Sequence, residues 1–136
     1  MSSSGFAGPP LRAPRDNAAM SQPSPAAVLE AMVGMFASGD PSGAAEVVAS
    51  DYLDHQGIDG RPLKGVEGFA HVVHTNHAAY ETQSVTVEDL FEAGDRAVAR
   101  IRWRGRNRLG DDVDRQTIDI VRVTDGRAVE HWGAHV

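Results

Sequence analysis

Residues 117–132, Thr117-Ile118-Asp119-Ile120-Val121-Arg122-Val123-Thr124-Asp125-Gly126-Arg127-Ala128-Val129-Glu130-His131-Trp132, decide the fold. Apolar and polar side chains alternate along both halves, as in strands with one buried face, and Asp125-Gly126 between them is a hairpin signal. The run just upstream, residues 97–106, alternates more strongly. Ala97, Ala99, Ile101 and Trp103 face one way, and Val98, Arg100, Arg102 and Arg104 face the other. Unpaired guanidinium groups would be very costly in a core, so the arginine face points to water. Arg122 belongs beside those arginines. Parity then turns Thr117, Asp119, Val121 and Val123 inward, making Asp119 a buried carboxylate among apolar neighbours.

What Asp119 faces depends on the hairpin. A three-residue loop, Thr124-Asp125-Gly126, with Gly126 as the left-handed residue of a bulge, would pair Val123 with Arg127 and place Asp119 opposite His131. Val129, His131 and Gly133 would then face inward and Glu130 would lie in water. A two-residue Asp125-Gly126 turn would instead set Asp119 opposite Trp132 and bury Glu130.

Upstream of residue 97, residues 84–93 form another strand, closed by a turn at Gly94-Asp95. Residues 66–80 read as a helix with Val66, Phe69, Ala70, Val73 and Tyr80 on one face and His77 among them. Residues 51–55 are extended and are followed by a loop through Gly57, Gly60, Pro62 and Gly65. Val28, Met32, Met35, Phe36 and Gly39 mark the stripe of a first helix, with Ser24 as N-cap and Pro25 at its first position. Asp40-Pro41 starts a second, short helix that buries Ala44, Val47 and Val48. The expected fold is α+β, with a curved antiparallel sheet packed on three N-terminal helices.

The chain has 136 residues, enough for one core, with 41% hydrophobic and 24% charged residues. Residues 1–24 are rich in Ser, Gly, Ala and Pro and read as a disordered N-terminal tail preceding a domain over 25–136. No apolar run reaches the length of a membrane span and no secretory leader is visible, so a cytoplasmic location is expected. A net charge of −6 disfavours nucleic acid. The absence of cysteine excludes disulfides and thiolate chemistry. Ile118, Ile120 and Trp132 fall together on the outward face, an apolar patch that predicts a homodimer.

A carboxylate beside an imidazole in an apolar cavity suits proton transfer, since burial raises a carboxyl pKa while a neighbouring cation lowers it. Asp119 and His131 are therefore candidate catalytic residues. The alternative is a structural ion pair that fixes strand register. His55, just beyond an extended segment, is a third candidate for the same cavity, and Trp103, Tyr52 and Val121 are candidates for its apolar wall. His71 and His74 at i, i+3 lack a suitably spaced carboxylate, so no metal is expected. No glycine-rich phosphate loop or nucleophile elbow is present either.

Several segments together resemble the SnoaL-like polyketide cyclase family over residues 26–133. They are Ser38-Gly39-Asp40, Asp51-Tyr52-Leu53-Asp54-His55, Gly65-Val66-Glu67-Gly68, Val87-Glu88-Asp89-Leu90, Gly94-Asp95-Arg96, and the run from Ile118 to Trp132. The resemblance implies the cone-shaped sheet of the nuclear transport factor 2-like superfamily. It also implies ring closure by intramolecular aldol condensation without cofactor or metal, on a hydrophobic carbonyl-containing substrate, with Asp119 at the position of the family's proton-abstracting aspartate. Where cyclases of the family have Trp-x-Gly-Thr-His, this chain has Trp103-Arg104-Gly105-Arg106-Asn107, which sets Asn107 at the place of the assisting histidine as a substrate-binding candidate. Gly133 stands where many relatives have Asp. Epoxide opening and non-catalytic ligand binding are the alternative functions on the same scaffold.

Overall fold

The computed structural model describes residues 22–136; the tail expected over residues 1–24 lies outside the described residues except for its last three. Helix α1 (Pro25–Ser38) starts where the Ser24 side chain accepts the Ala27 N–H at 3.1 Å. It ends at Gly39, whose φ of 76° is the left-handed conformation that glycine tolerates best. The expected second helix is only a single 3-10 turn, Ala44–Glu46. Asp40 accepts the Ser42 N–H at 3.0 Å and holds a turn there, leaving too few residues to offset helix nucleation. The chain is instead drawn into the sheet, where the Val47 carbonyl accepts the Ala128 N–H at 2.7 Å.

The strands are β1 (Val48–Ile58), β2 (Arg61–Lys64), β3 (Tyr80–Ala93), β4 (Arg96–Asn107), β5 (Asp112–Thr124) and β6 (Arg127–His135), and α2 (Gly65–Ala78) lies between β2 and β3. They form one sheet in the order β2-β1-β6-β5-β4-β3. Two expectations change here. The loop expected after residue 55 contains strand β2, and the sheet is not wholly antiparallel because β6 returns alongside β1 in the same direction. Both helices pack on one face of the sheet, α1 over β3 to β6 and α2 mainly over β1. Val28, Leu29, Met32, Phe69 and Val73 meet Ala97, Ala99, Ile101 and Val121, all at most 4% exposed. His77, expected among the apolar residues of α2, is exposed.

The arginine face points to water as parity requires. Arg100 pairs with Glu88 at 2.9 Å and Asp89 at 2.6 Å, and Arg102 pairs with Glu88 at 3.0 Å and Asp114 at 2.8 Å. These exposed pairs are screened by water and orient side chains more than they stabilise the fold. Across the same face, Phe91, Val98, Ile120 and Trp132 pair in one row through four strands, with Phe91 59% exposed. Among the described residues no helix is long and apolar enough to cross a membrane.

The β5–β6 hairpin departs from both expected registers. Asp125 and Gly126 have φ of 53° and 76°, so the turn has two residues, with Thr124 opposite Arg127 and Val123 opposite Ala128. A bulge at Val129 then shifts the pairing, placing Arg122 opposite Glu130 and Val121 opposite His131. The bulge restores the parity that the short turn would have reversed. Ala128 rather than Val129 is fully buried, and Asp119 lies opposite Gly133 rather than His131.

Candidate functional site

Asp119 is 8% exposed, at the centre of a chain of side-chain hydrogen bonds spanning three adjacent strands and β4. On β5, Thr117 Oγ1 donates to Asp119 Oδ2 at 2.7 Å and itself accepts from Trp103 Nε1 at 2.9 Å. Asp119 Oδ1 lies 2.8 Å from His131 Nε2, one step diagonally across the β5–β6 ladder. The other ring nitrogen, Nδ1, lies 2.8 Å from Asp54 Oδ1 on β1, directly across the parallel pair. Asp54 Oδ1 also accepts the backbone N–H groups of Gln56 at 3.0 Å and Gly57 at 3.2 Å, so the irregular end of β1 fixes its orientation.

One imidazole donates to carboxylates on both sides only when both nitrogens carry protons. Burial alone would disfavour that cation, but the hydrogen bonds it donates to Asp119 and Asp54, reinforced by their charges, raise the His131 pKa to about 9. Burial likewise opposes the charge on Asp54, and the bond and charge of His131 with the two backbone donors outweigh it, lowering its pKa. Near neutral pH His131 is therefore an imidazolium paired with the Asp54 carboxylate.

The array faces a cavity of about 290 Å³, enclosed on its apolar side by Leu29, Met32, Phe36, Phe69, Ile101 and Trp103. Phe36 meets Phe69 and Trp103 edge-on at 5.7 and 5.9 Å between ring centres, so the wall is a packed aromatic cluster. Tyr52, 1% exposed, lines the same space, its hydroxyl kept protonated by burial and by the charges of Asp54 and Asp119. Gly133 makes room for the array. A Cβ there would lie 2.3 Å from Gln56 Oε1 and 2.9 Å from Asp119 Oδ1, so the Gln56 side chain occupies the space left by its absence.

The residues singled out from sequence divide into two groups. Asp119, His131, Tyr52 and Trp103 all line the cavity. His55 does not: it is on the outer face, stacked on Trp132 at 5.0 Å between ring centres and bonded through Nε2 to Glu130 at 2.8 Å. Strand alternation explains the correction, because the outward residue of β1 at this point is His55 and the inward one is its neighbour Asp54. Val121 is fully buried in the core beneath the cavity and does not line it. Asn107 is also outside, at the end of β4, where Oδ1 accepts the Leu109 N–H at 3.0 Å and the Asp111 N–H at 2.9 Å and so closes the β4–β5 turn. Asp54 went unrecognised in the sequence. Its signal was the two-residue step from Tyr52, already assigned to the wall, which puts both on one face.

The SnoaL-like polyketide cyclase family model matches residues 26–135. No curated protein matches the chain. Among solved structures, the chain is similar to wild-type IdmH, a candidate polyketide cyclase from Streptomyces antibioticus, with 27% identity, 82% of this chain and 91% of that one covered, and a TM-score of 0.71. TsrD from Streptomyces laurentii is 25% identical over 79% of this chain and 84% of its own, with a TM-score of 0.70. A candidate cyclase from Bacillus cereus ATCC 10987 is 25% identical over 79% and 71%, with a TM-score of 0.71. With the fold and the family match in agreement, this chain belongs to the SnoaL-like polyketide cyclase family.

Proposed function

We propose that the protein is a cofactor-independent cyclase or isomerase that moves a proton on a hydrophobic, carbonyl-containing small molecule. The observation that carries this reading is the Asp54–His131–Asp119 array facing an apolar cavity. Asp119 accepts from His131 and Thr117, and its remaining lone pairs can take an acidic proton from the carbon next to a substrate carbonyl. His131, held as a cation by Asp54, orients Asp119 and offsets its charge. The Tyr52 hydroxyl is the donor suited to the developing enolate oxygen. In a cyclisation, the enolate carbon then attacks a second carbonyl, one C–C bond forms, and the proton on Asp119 returns to the new alkoxide. No atom is gained or lost, so no cofactor is required. IdmH and the Bacillus cereus protein, both candidate polyketide cyclases, support a polyketide-like substrate.

A second reading, epoxide opening, is favoured by the same array, since it supplies a carboxylate to activate water and an imidazolium to protonate the leaving oxygen. Product analysis separates the two, because only cyclisation by aldol chemistry makes a C–C bond. The functional unit is proposed to be a homodimer formed through the outer sheet face, where the exposed Phe91 continues the row of Val98, Ile120 and Trp132.

The proton-transfer reading can be tested with 2-tetralone, a hydrophobic ketone small enough for the cavity. In D2O the wild-type protein should accelerate exchange of its α-protons, as followed by NMR. Asp119→Asn keeps the shape but removes the base, and should slow the catalysed exchange by about a hundredfold or more. Exchange that survived this substitution would overturn the assignment.

A further inference from the structure

Building on the ligand cavity described above, we propose that the substrate carries a carboxylate and that Arg115 receives it. Arg115 lines the cavity on β5, four residues from Asp119 on the same strand face, so strand rise separates their Cα atoms by ~13 Å. Among the described residues it is the one arginine or lysine in the lining. On the outer face of the sheet, Arg100 pairs with Glu88 and Asp89, Arg102 with Glu88 and Asp114, and Arg122 with Glu130, while Arg96 stacks over Trp132. Arg115 has no carboxylate partner among the described residues. Its Nε donates to the Tyr80 hydroxyl at 3.2 Å, and its guanidinium carbon lies 5.2 Å from the Trp103 ring centre.

These two contacts hold the guanidinium in place and leave its Nη1 and Nη2 donors without a protein acceptor among the described residues. A half-buried cation turned toward an apolar cavity is costly without a counter-charge. A carboxylate supplies that charge in the two-pronged geometry that guanidinium matches best. Asn76, also in the lining, accepts from Gln83 Nε2 at its Oδ1 at 3.1 Å, which orients its side-chain amide.

The other end of the cavity has the opposite character, since two carboxylates flank one imidazolium there. This layout admits an amphipathic acid in one orientation. Its carboxylate is drawn to Arg115 and repelled from Asp119, and its neutral carbonyl end reaches the base. The implied substrate class is a hydrophobic keto acid with a free carboxylate, as opposed to its ester.

The test uses calorimetric binding of 6-phenylhexanoate and its methyl ester to the full chain. In the wild type the acid should bind at least about tenfold more tightly than the ester, the scale of a hydrogen bond to a charged group. Arg115→Met keeps an apolar stem over Trp103 and should erase that preference without weakening the ester. Arg115→Lys should restore part of it. Equal affinities for acid and ester in the wild type, or an equal loss of both in Arg115→Met, would overturn the assignment and leave Arg115 as a wall residue. If neither compound bound, the proposal would fall, while the 2-tetralone exchange would still decide separately on proton transfer.

Discussion

Replacing Asp54 with Asn isolates its charge from its geometry. Asn keeps an Oδ1 that can accept from His131 Nδ1 and from the Gln56 and Gly57 N–H groups, and it removes one of the two anions holding the imidazolium. His131 stands at about 9 against an ordinary value of 6.5, a raised pKa worth on the order of 3 kcal/mol of preferential stabilisation of the cation. Two carboxylates at the same 2.8 Å share that effect, and burial opposes it. Loss of one charge should therefore lower the His131 pKa by about one to two units.

The same shift governs stability. Between the unfolded value and about 9 the native state holds a proton that the unfolded chain has released. Stability from this pair is thus fully present below pH ~6.5 and falls as pH rises toward ~9. NMR titration of the His131 ring resonances should show the lowered pKa in Asp54→Asn, and urea unfolding across that window should show a shallower alkaline decline than in the wild type. A His131 pKa unmoved or raised by the substitution would refute the view that two carboxylates share the imidazolium.

Gly133→Ala places a methyl group against Gln56 Oε1 and Asp119 Oδ1, and Asp119 is pinned by Thr117 and His131. It should cost about 1–3 kcal/mol. Combining it with Gln56→Ala should recover part of that loss in a double-mutant cycle of unfolding free energies, and strict additivity would contradict the proposed crowding. Thr117→Val leaves the buried Trp103 N–H without its acceptor and Asp119 without one donor, and should lower stability by about 1–3 kcal/mol by chemical denaturation with an unchanged m-value. The wild type should show a dimer mass by light scattering, and Ile120→Asp, in the centre of the outer apolar row, should give a monomer with native circular dichroism. A monomeric wild type would exclude this face as the contact.

The inward turn of Asp119 was legible because four arginines and one aspartate share a simple parity over β4 and β5, where the register is unbroken. That logic stopped at the first irregularity. The hairpin after Val123 combines a two-residue turn with a bulge, and no local residue type distinguishes that pair of features from a three-residue loop. His55 is chemically conspicuous as an imidazole, whereas Asp54 shares a face with Tyr52 and accepts two backbone donors from the irregular end of its own strand. The expected second helix failed for a different reason. Its residues have local helical signals, but the pairing of Val48 with Ala128 outweighs them in so short a segment.

The bulge at Val129 also makes the site depend on one irregular backbone position. Val129 stands outside the ladder, so Ala128 and Glu130, two residues apart in sequence, face opposite ways. Deleting Val129 would leave the Asp125-Gly126 turn intact and close a regular ladder with Arg122 still opposite Glu130 and Val121 still opposite His131, so the cavity face would be kept. Drawing Val129 itself into the ladder would exchange the two faces beyond it, turning Glu130 and Trp132 toward the cavity and His131 to the outside. The chemistry therefore tolerates a shorter hairpin here but not a regular one of the present length.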